Sequence, residues 1–215
     1  MNGSMSGGTL ASFKATMAAA GQNPELVSVL MNPFALTEEF AGPEQPSGLA
    51  PIHEDDLGSW SAPFVMATIN TKNIHRSNYL QDHAYGENFV YDEMLLTGPG
   101  EQGETIANAV ANDKSMAKSE LQPGDGPSKE ERDNGNYDVM FVGSNDSGYK
   151  VVASEKGDKD PGYGSTSKMI AEAAVCLALD PEATGGGIWT PAAALGSALI
   201  DRLQDNAGLS FQKEG

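Results

Sequence analysis

Tyr137-Asp-Val-Met-Phe-Val142, Gly143-Ser-Asn-Asp-Ser-Gly148 and Tyr149-Lys-Val-Val-Ala153 form the stretch that decides the fold. Two runs rich in β-branched and aromatic residues flank six turn-forming residues, which predicts an antiparallel hairpin. Downstream lie two amphipathic helical patterns. Asp160-Pro161 and Thr190-Pro191 stand at their entrances, each pairing a capping side chain with a proline suited to the first helical position. Met169, Ile170, Ala173, Ala174 and Leu177 line one helical face, which ends at Asp180-Pro181. Leu195, Leu199 and Leu203 line the next, Gly208 is a natural stop, and Leu209-Ser-Phe211 returns as a strand.

Upstream, Leu10, Phe13 and Met17 recur at helical spacing and predict a helix from about Thr9 to Ala20. Asn23-Pro24-Glu25 caps a second, with Leu26, Val29 and Leu30 as its buried face and Asn32-Pro33 as its end. Residues 34–61 read as a surface connection, Pro63 to Asn70 as a buried strand or sheet edge, and Asn73 to Gln81 as a short helix. Phe89 to Leu96 reads as a strand. Residues 99–135 form a second long connection, containing a weak helix near Gly103 to Ala111 and a capping box at Ser128-Lys-Glu-Glu131. Strands and helices mix without the regular alternation of a doubly wound sheet. The expectation is an α+β fold, a mixed and largely antiparallel sheet with helices packed on it, over residues 1–215 as one domain.

The charge excludes some functions. Thirty acidic residues against thirteen basic ones give a net charge of -17, a field that repels phosphate backbones and anionic lipid surfaces. No nucleic-acid or membrane partner is expected, and the acidity is read as solubility in preference to an acidic binding surface. The lone cysteine, Cys176, sits in a helical apolar pattern and reads as a core thiol, which excludes an intramolecular disulfide. No apolar run reaches the ~18 residues of a membrane span, and the first residues do not resemble a signal peptide, so a cytoplasmic location is expected.

Gly162-Tyr-Gly-Ser-Thr-Ser167 is one residue short of the dinucleotide pattern GxGxxG, but the solvated Glu155-Lys-Gly-Asp-Lys-Asp160 loop stands where a buried strand should run into it. No cofactor is expected on this chain alone. Backbone amides and the hydroxyls of Ser165 and Thr166 at the helix start can hold a carboxylate or carbonyl; the alternative is simple capping, with glycine for close packing. His53, His75 and His83 are not at metal-ligand spacing, so no metal is expected. Arg76, one of three arginines, can clamp a carboxylate or serve in a salt bridge. Asp55-Asp56 and Asp92-Glu93 are adjacent, so on a strand they face opposite ways and cannot share a proton.

Four blocks together resemble saccharopine dehydrogenase-like oxidoreductases. They are Ser6-Gly-Gly-Thr9; Pro63-Phe-Val-Met66 with Asn70-Thr71 and Arg76-Ser-Asn78; Pro123-Gly-Asp-Gly-Pro-Ser128; and the two carboxyl-terminal helix entrances. In that family a GYGxTxxM helix precedes a GGxxTPxxAxGxxLIxRL helix. Its members include saccharopine dehydrogenases and reductases and trans-acting enoyl reductases. The resemblance implies the substrate and dimerisation domain of a two-domain enzyme whose Rossmann domain, absent here, binds NAD(P). It places Ser6, Gly7, Gly8, Thr9, Arg76, Tyr163, Gly164, Ser165 and Thr166 at the cleft and assigns no catalytic residue. The implied partners are a small-molecule substrate and either a second copy or a separate or upstream cofactor domain. A binding or scaffold module that kept the fold without chemistry is the competing reading. Where eukaryotic members carry a long apolar segment, this chain has the polar Gly100 to Ser119. A missing cofactor domain would leave Leu10, Phe13, Met17 and the strand near Phe64 exposed, and self-association would follow.

Overall fold

A computed structural model describes residues 5–179 and 185–214. The fold is α+β, with helices and two small antiparallel sheets. The chain divides into two compact units: Phe13–Ser119, and the described residues up to Ser12 together with those from Glu120 onward.

Helix α1 (Gly7–Gln22) begins in one unit and ends in the other. Leu10 is buried, Phe13 half-buried and Met17 exposed, so the face read as an exposed contact keeps its first residue inside. In α2 (Pro24–Met31) the Asn23 side chain accepts from the Glu25 amide at 3.0 Å and Pro24 opens the helix, as the capping sequence predicts. Its apolar face is shallower than expected, with Leu26 and Leu30 half-buried and Val29 exposed.

The segment expected to be a plain connection carries β1 (Ile52–Glu54) and the start of β2 (Ser59–Pro63), joined by a 3-10 turn at Asp55–Leu57. Three paired residues are too few to show an alternating pattern in sequence. The run after Pro63 departs from expectation. Pro63 closes the β2 ladder, and the chain turns directly into α3 (Ala67–Leu80), six residues earlier than the helix read at Asn73. Periodicity cannot separate a short apolar run in a strand from one in a helix. Within α3 the hydroxyls are satisfied by the helix itself, Thr71 donating to the Ala67 carbonyl at 2.7 Å and Ser77 to that of Asn73 at 2.8 Å.

The expected strand from Phe89 pairs only from Met94, as β3 (Met94–Gly98) beside β2. Residues 89–91 are held instead by one side chain. Gln45 donates to the Phe89 carbonyl at 3.2 Å and accepts from the Tyr91 amide at 2.9 Å, taking the place of a neighbouring strand. This unit closes with α4 (Gly100–Ala111) and the short α5 (Ser115–Lys118).

In the other unit, α6 (Lys129–Asn134) has the capping box read from Ser128 and Glu131. The hairpin forms, as β4 (Tyr137–Ser144) and β5 (Lys150–Gly157) in unbroken register from Tyr137↔Gly157 to Ser144↔Lys150. Gly143 and Ser144, expected in the turn, and residues 155–157, expected in a solvated loop, are strand because the ladder to the facing strand continues through them. Asn145 holds the turn by accepting from the Ser147 and Tyr149 amides, both at 3.1 Å. Helices α7 (Gly164–Leu179) and α8 (Pro191–Ala207) pack together, with Arg202 bonded to Glu172 at 2.6 Å. The end of α7 expected at Asp180-Pro181 lies outside the described residues. Gly208 stops α8 in the left-handed conformation at φ 74°, where a side chain would be strained, and β6 (Leu209–Lys213) joins the free side of β5. Leu203, Ala207 and Leu209 form the core, flanked by Met169, Leu199 and Phe211. Cys176 is buried, as its pattern suggests. Among the described residues no helix is long and apolar enough to cross a membrane.

Candidate functional site

Three segments distant in sequence meet where α1 begins. Ser6 caps the helix, its hydroxyl accepting from the Thr9 amide at 3.2 Å. Gly7 is buried and donates its amide to the Asp125 carbonyl at 2.9 Å. A side chain at Gly7 would collide with the Gln122 carbonyl, so only glycine lets the 122–126 loop lie this close. Tyr163, from the turn before α7, completes the group. Its phenol oxygen accepts from the Ser6 amide at 2.9 Å and lies 2.9 Å from the Thr9 hydroxyl, which is itself 3.2 Å from that of Ser6.

The donor inventory gives this cluster a chemical capacity. When Thr9 donates to the Tyr163 oxygen, that oxygen receives two hydrogen bonds and its own proton is left for an outside acceptor. Burial pushes the phenol up, but the bonds from Ser6 and Thr9 outweigh it and hold Tyr163 below its ordinary range. An acidified, accessible phenol is a good hydrogen-bond donor to a carbonyl oxygen.

The rest of the turn is committed internally. Asp160 is 1% exposed, and its carboxylate accepts from the amides of Gly162 at 3.0 Å, Tyr163 at 2.8 Å and Gly164 at 2.6 Å. The Ser165 hydroxyl is buried 3.1 Å from that of Tyr137, which donates to Glu155 at 3.1 Å. Thr166 donates to the Pro161 carbonyl at 2.6 Å. An external carboxylate or phosphate would have to displace Asp160, so the turn does not fit the pyrophosphate of a dinucleotide.

Of the residues singled out in sequence, Ser6 and Thr9 thus meet Tyr163 and Gly7 meets the 122–126 loop, whereas Gly164, Ser165 and Thr166 serve the packing and capping of α7. Gly8 is exposed beside Ser6. Gln122 and Asp125 are not among them; the turn-forming residues Leu121-Gln-Pro-Gly-Asp-Gly-Pro127 are their signal in the sequence, a short loop that brings the backbone to Gly7.

Arg76 lies in the other unit, on α3, and donates to the Leu36 carbonyl at 2.6 Å. In the two turns before it, Thr68, Thr71 and Lys72 line a cavity of about 410 Å³ with Leu30, Phe34 and Leu49. Lys72 donates to the carbonyls of Leu30 and Thr68, both at 2.6 Å, and burial lowers its ammonium below the usual range. Beside the cavity, Gln45 binds Tyr91, whose phenol burial and then Glu93 push upward. His75 is buried between Phe34 at 4.4 Å and Phe89 at 5.8 Å, and its Nε2 has no hydrogen-bond partner. Among the described residues, no three His, Cys, Asp or Glu side chains are grouped to hold a metal ion.

The chain is similar to a Mycobacterium tuberculosis protein provisionally named a trans-acting enoyl reductase, with 33% identity over 98% of this chain and 56% of that protein. It is 30% identical to the trans-acting enoyl reductase of Mycobacterium ulcerans over 92% of this chain and 54% of the relative, and to that of Mycobacterium bovis over 93% and 54%. The chain therefore spans about half the length of the curated relatives it matches. No family model matches the chain. No solved structure matches it either.

Proposed function

We propose that this chain is the substrate-side part of an enoyl-reductase-type oxidoreductase of the saccharopine dehydrogenase-like family, with the nicotinamide cofactor held by protein outside these residues. The carrying observation is the hydroxyl cluster of Ser6, Thr9 and Tyr163, built from segments more than 150 positions apart. It occurs in a chain similar along nearly all its length to proteins named for enoyl reduction. An enoyl thioester presents a carbonyl conjugated to its double bond. A donor on that oxygen draws electron density from the distal carbon of the alkene, which favours reduction there. In this reading Tyr163 is the donor, and Ser6 and Thr9 hold and polarise it.

The competing reading, a binding module without chemistry, draws on Asp160, which fills the one glycine-rich turn that resembles a cofactor motif.

Both are tested with crotonyl-pantetheine carrying a ¹³C carbonyl. Binding to the chain should move the carbonyl resonance downfield, and Tyr163→Phe should abolish that shift and weaken binding about tenfold. NADPH should not bind the chain alone. Mixing the chain with the unmatched part of the Mycobacterium tuberculosis relative should yield NADPH oxidation dependent on the thioester. Micromolar NADPH binding by the chain alone, or an unchanged carbonyl shift in Tyr163→Phe, would sink the proposal. Thioester binding without NADPH oxidation in the mixture would favour the module.

A further inference from the structure

β4 is an outer strand: it pairs with β5 on one side, and no described strand lies on the other. Every residue from Asp138 to Ser144 is exposed, including the four consecutive apolar side chains Val139, Met140, Phe141 and Val142. Beyond Ala153 the ribbon is not reinforced by β6, whose ladder covers only Ala153 to Gly157 of β5. A two-stranded ribbon is marginal in water by itself, and a long apolar edge is a template for another strand.

We propose that this edge is an interface for a second copy of the chain, with β4 pairing antiparallel to β4 about a two-fold axis centred on Phe141. The strand's own residues argue for a copy as the occupant. A two-fold axis perpendicular to the sheet keeps every side chain on its own face, so each residue meets one of the same parity. Centring on Phe141 sets Phe141 against itself, Met140 against Val142, Val139 against Gly143 and Asp138 against Ser144. No like charges meet. Asp138 is already neutralised by Lys156 at 3.0 Å and would face a hydroxyl. In a chain of net charge -17, copies repel at most surfaces, and Val139–Ser144 offers a strand edge free of carboxylates. Pairing would join two three-stranded sheets into one of six strands and satisfy the outward amides and carbonyls of both edges.

Sedimentation velocity over a hundredfold range of concentration tests this. The expected result is a monomer–dimer equilibrium that tightens as salt screens the net charge. Phe141→Lys places two ammonium groups against each other at the axis and should weaken the dimer at least tenfold, while Ile170→Lys, on the exposed face of α7, should leave it unchanged. Circular dichroism checks that both variants fold. Amide exchange should also slow along β4 as wild-type concentration rises. A concentration-independent monomer overturns the proposal. So does a Phe141→Lys dimer as tight as wild type. If the unmatched part of the Mycobacterium tuberculosis relative dissolves the dimer and protects the same β4 amides, the edge belongs to that partner and the proposal is overturned.

Discussion

Replacing Asp160 by alanine should remove the most concentrated set of polar contacts in the candidate site. The carboxylate is 1% exposed, with Oδ1 accepting from Gly162 and Oδ2 from Tyr163 and Gly164 at 2.6–3.0 Å. A hydrogen bond to a charged group contributes roughly 1.5–3 kcal/mol, and three that share one carboxylate are not additive. The expected loss for Asp160→Ala is about 3–5 kcal/mol, because three donors at the start of α7 lose their partner. Asp160→Asn can keep an oxygen at the Oδ2 position but turns an NH₂ toward the Gly162 amide. Its loss should be smaller, about 2 kcal/mol. With a urea slope of about 2 kcal/mol/M, the alanine midpoint should fall by about 2 M. The alanine variant also leaves a carboxylate-sized space over three amides. Formate or acetate should therefore restore part of its stability and add nothing comparable to wild type. A loss below about 1 kcal/mol would refute the view that Asp160 holds this turn. Equal stabilisation of wild type by acetate would refute the view that Asp160 fills the amide cradle.

Adjacent glycines offer an internal control. Gly7→Ala should cost about 1–3 kcal/mol by forcing the 122–126 loop off α1, whereas Gly8→Ala, which would meet only the Ser6 hydroxyl at 3.7 Å, should be neutral or slightly stabilising by thermal unfolding. Burial raises the Glu155 carboxyl above its ordinary 4.5, so the folded state holds that proton more tightly and loses stability as pH rises from 4.5. Glu155→Gln, still an acceptor for Tyr137, should flatten that slope in urea titrations across the acid range. Burial lowers His75 below its ordinary 6.5, so stability is full above 6.5 and falls as pH drops through the lowered value; His75→Leu should remove this dependence. Leu203→Ala should destabilise the α8 core by about 2–5 kcal/mol in the same assay.

The elements legible in sequence were those held by local chemistry. The hairpin follows from two β-rich runs around turn residues, although its register, with Gly143 and Ser144 paired, does not; α2 follows from Asn23 and Pro24, and the stop of α8 from Gly208. What escaped was held at a distance. Phe89 to Tyr91 has the composition of a strand, but its backbone bonds go to Gln45, more than forty positions earlier. Nothing in the local pattern shows that a side chain will take the place of a neighbouring strand. The helix starting at Ala67 is hidden for a different reason, since the apolar run from Pro63 is equally compatible with either period.

The site divides along the same line. Asp160 can be read as a cap from its position alone, whereas Ser6 lies three residues ahead of the helix expected from Thr9; capping by itself says nothing of a ligand. What adds chemistry is the Tyr163 hydroxyl, brought over the Ser6 amide by contacts no spacing rule encodes. The two helix entrances therefore divide the work. At α7 the amides are satisfied by Asp160 and turned inward, which makes that entrance structural. At α1 the Ser6 amide is spent on a phenol that can pass the polarisation outward through its own O–H. That difference is why the proposed chemistry rests on the tyrosine within the Gly-Tyr-Gly turn and not on the glycines that first draw attention to it.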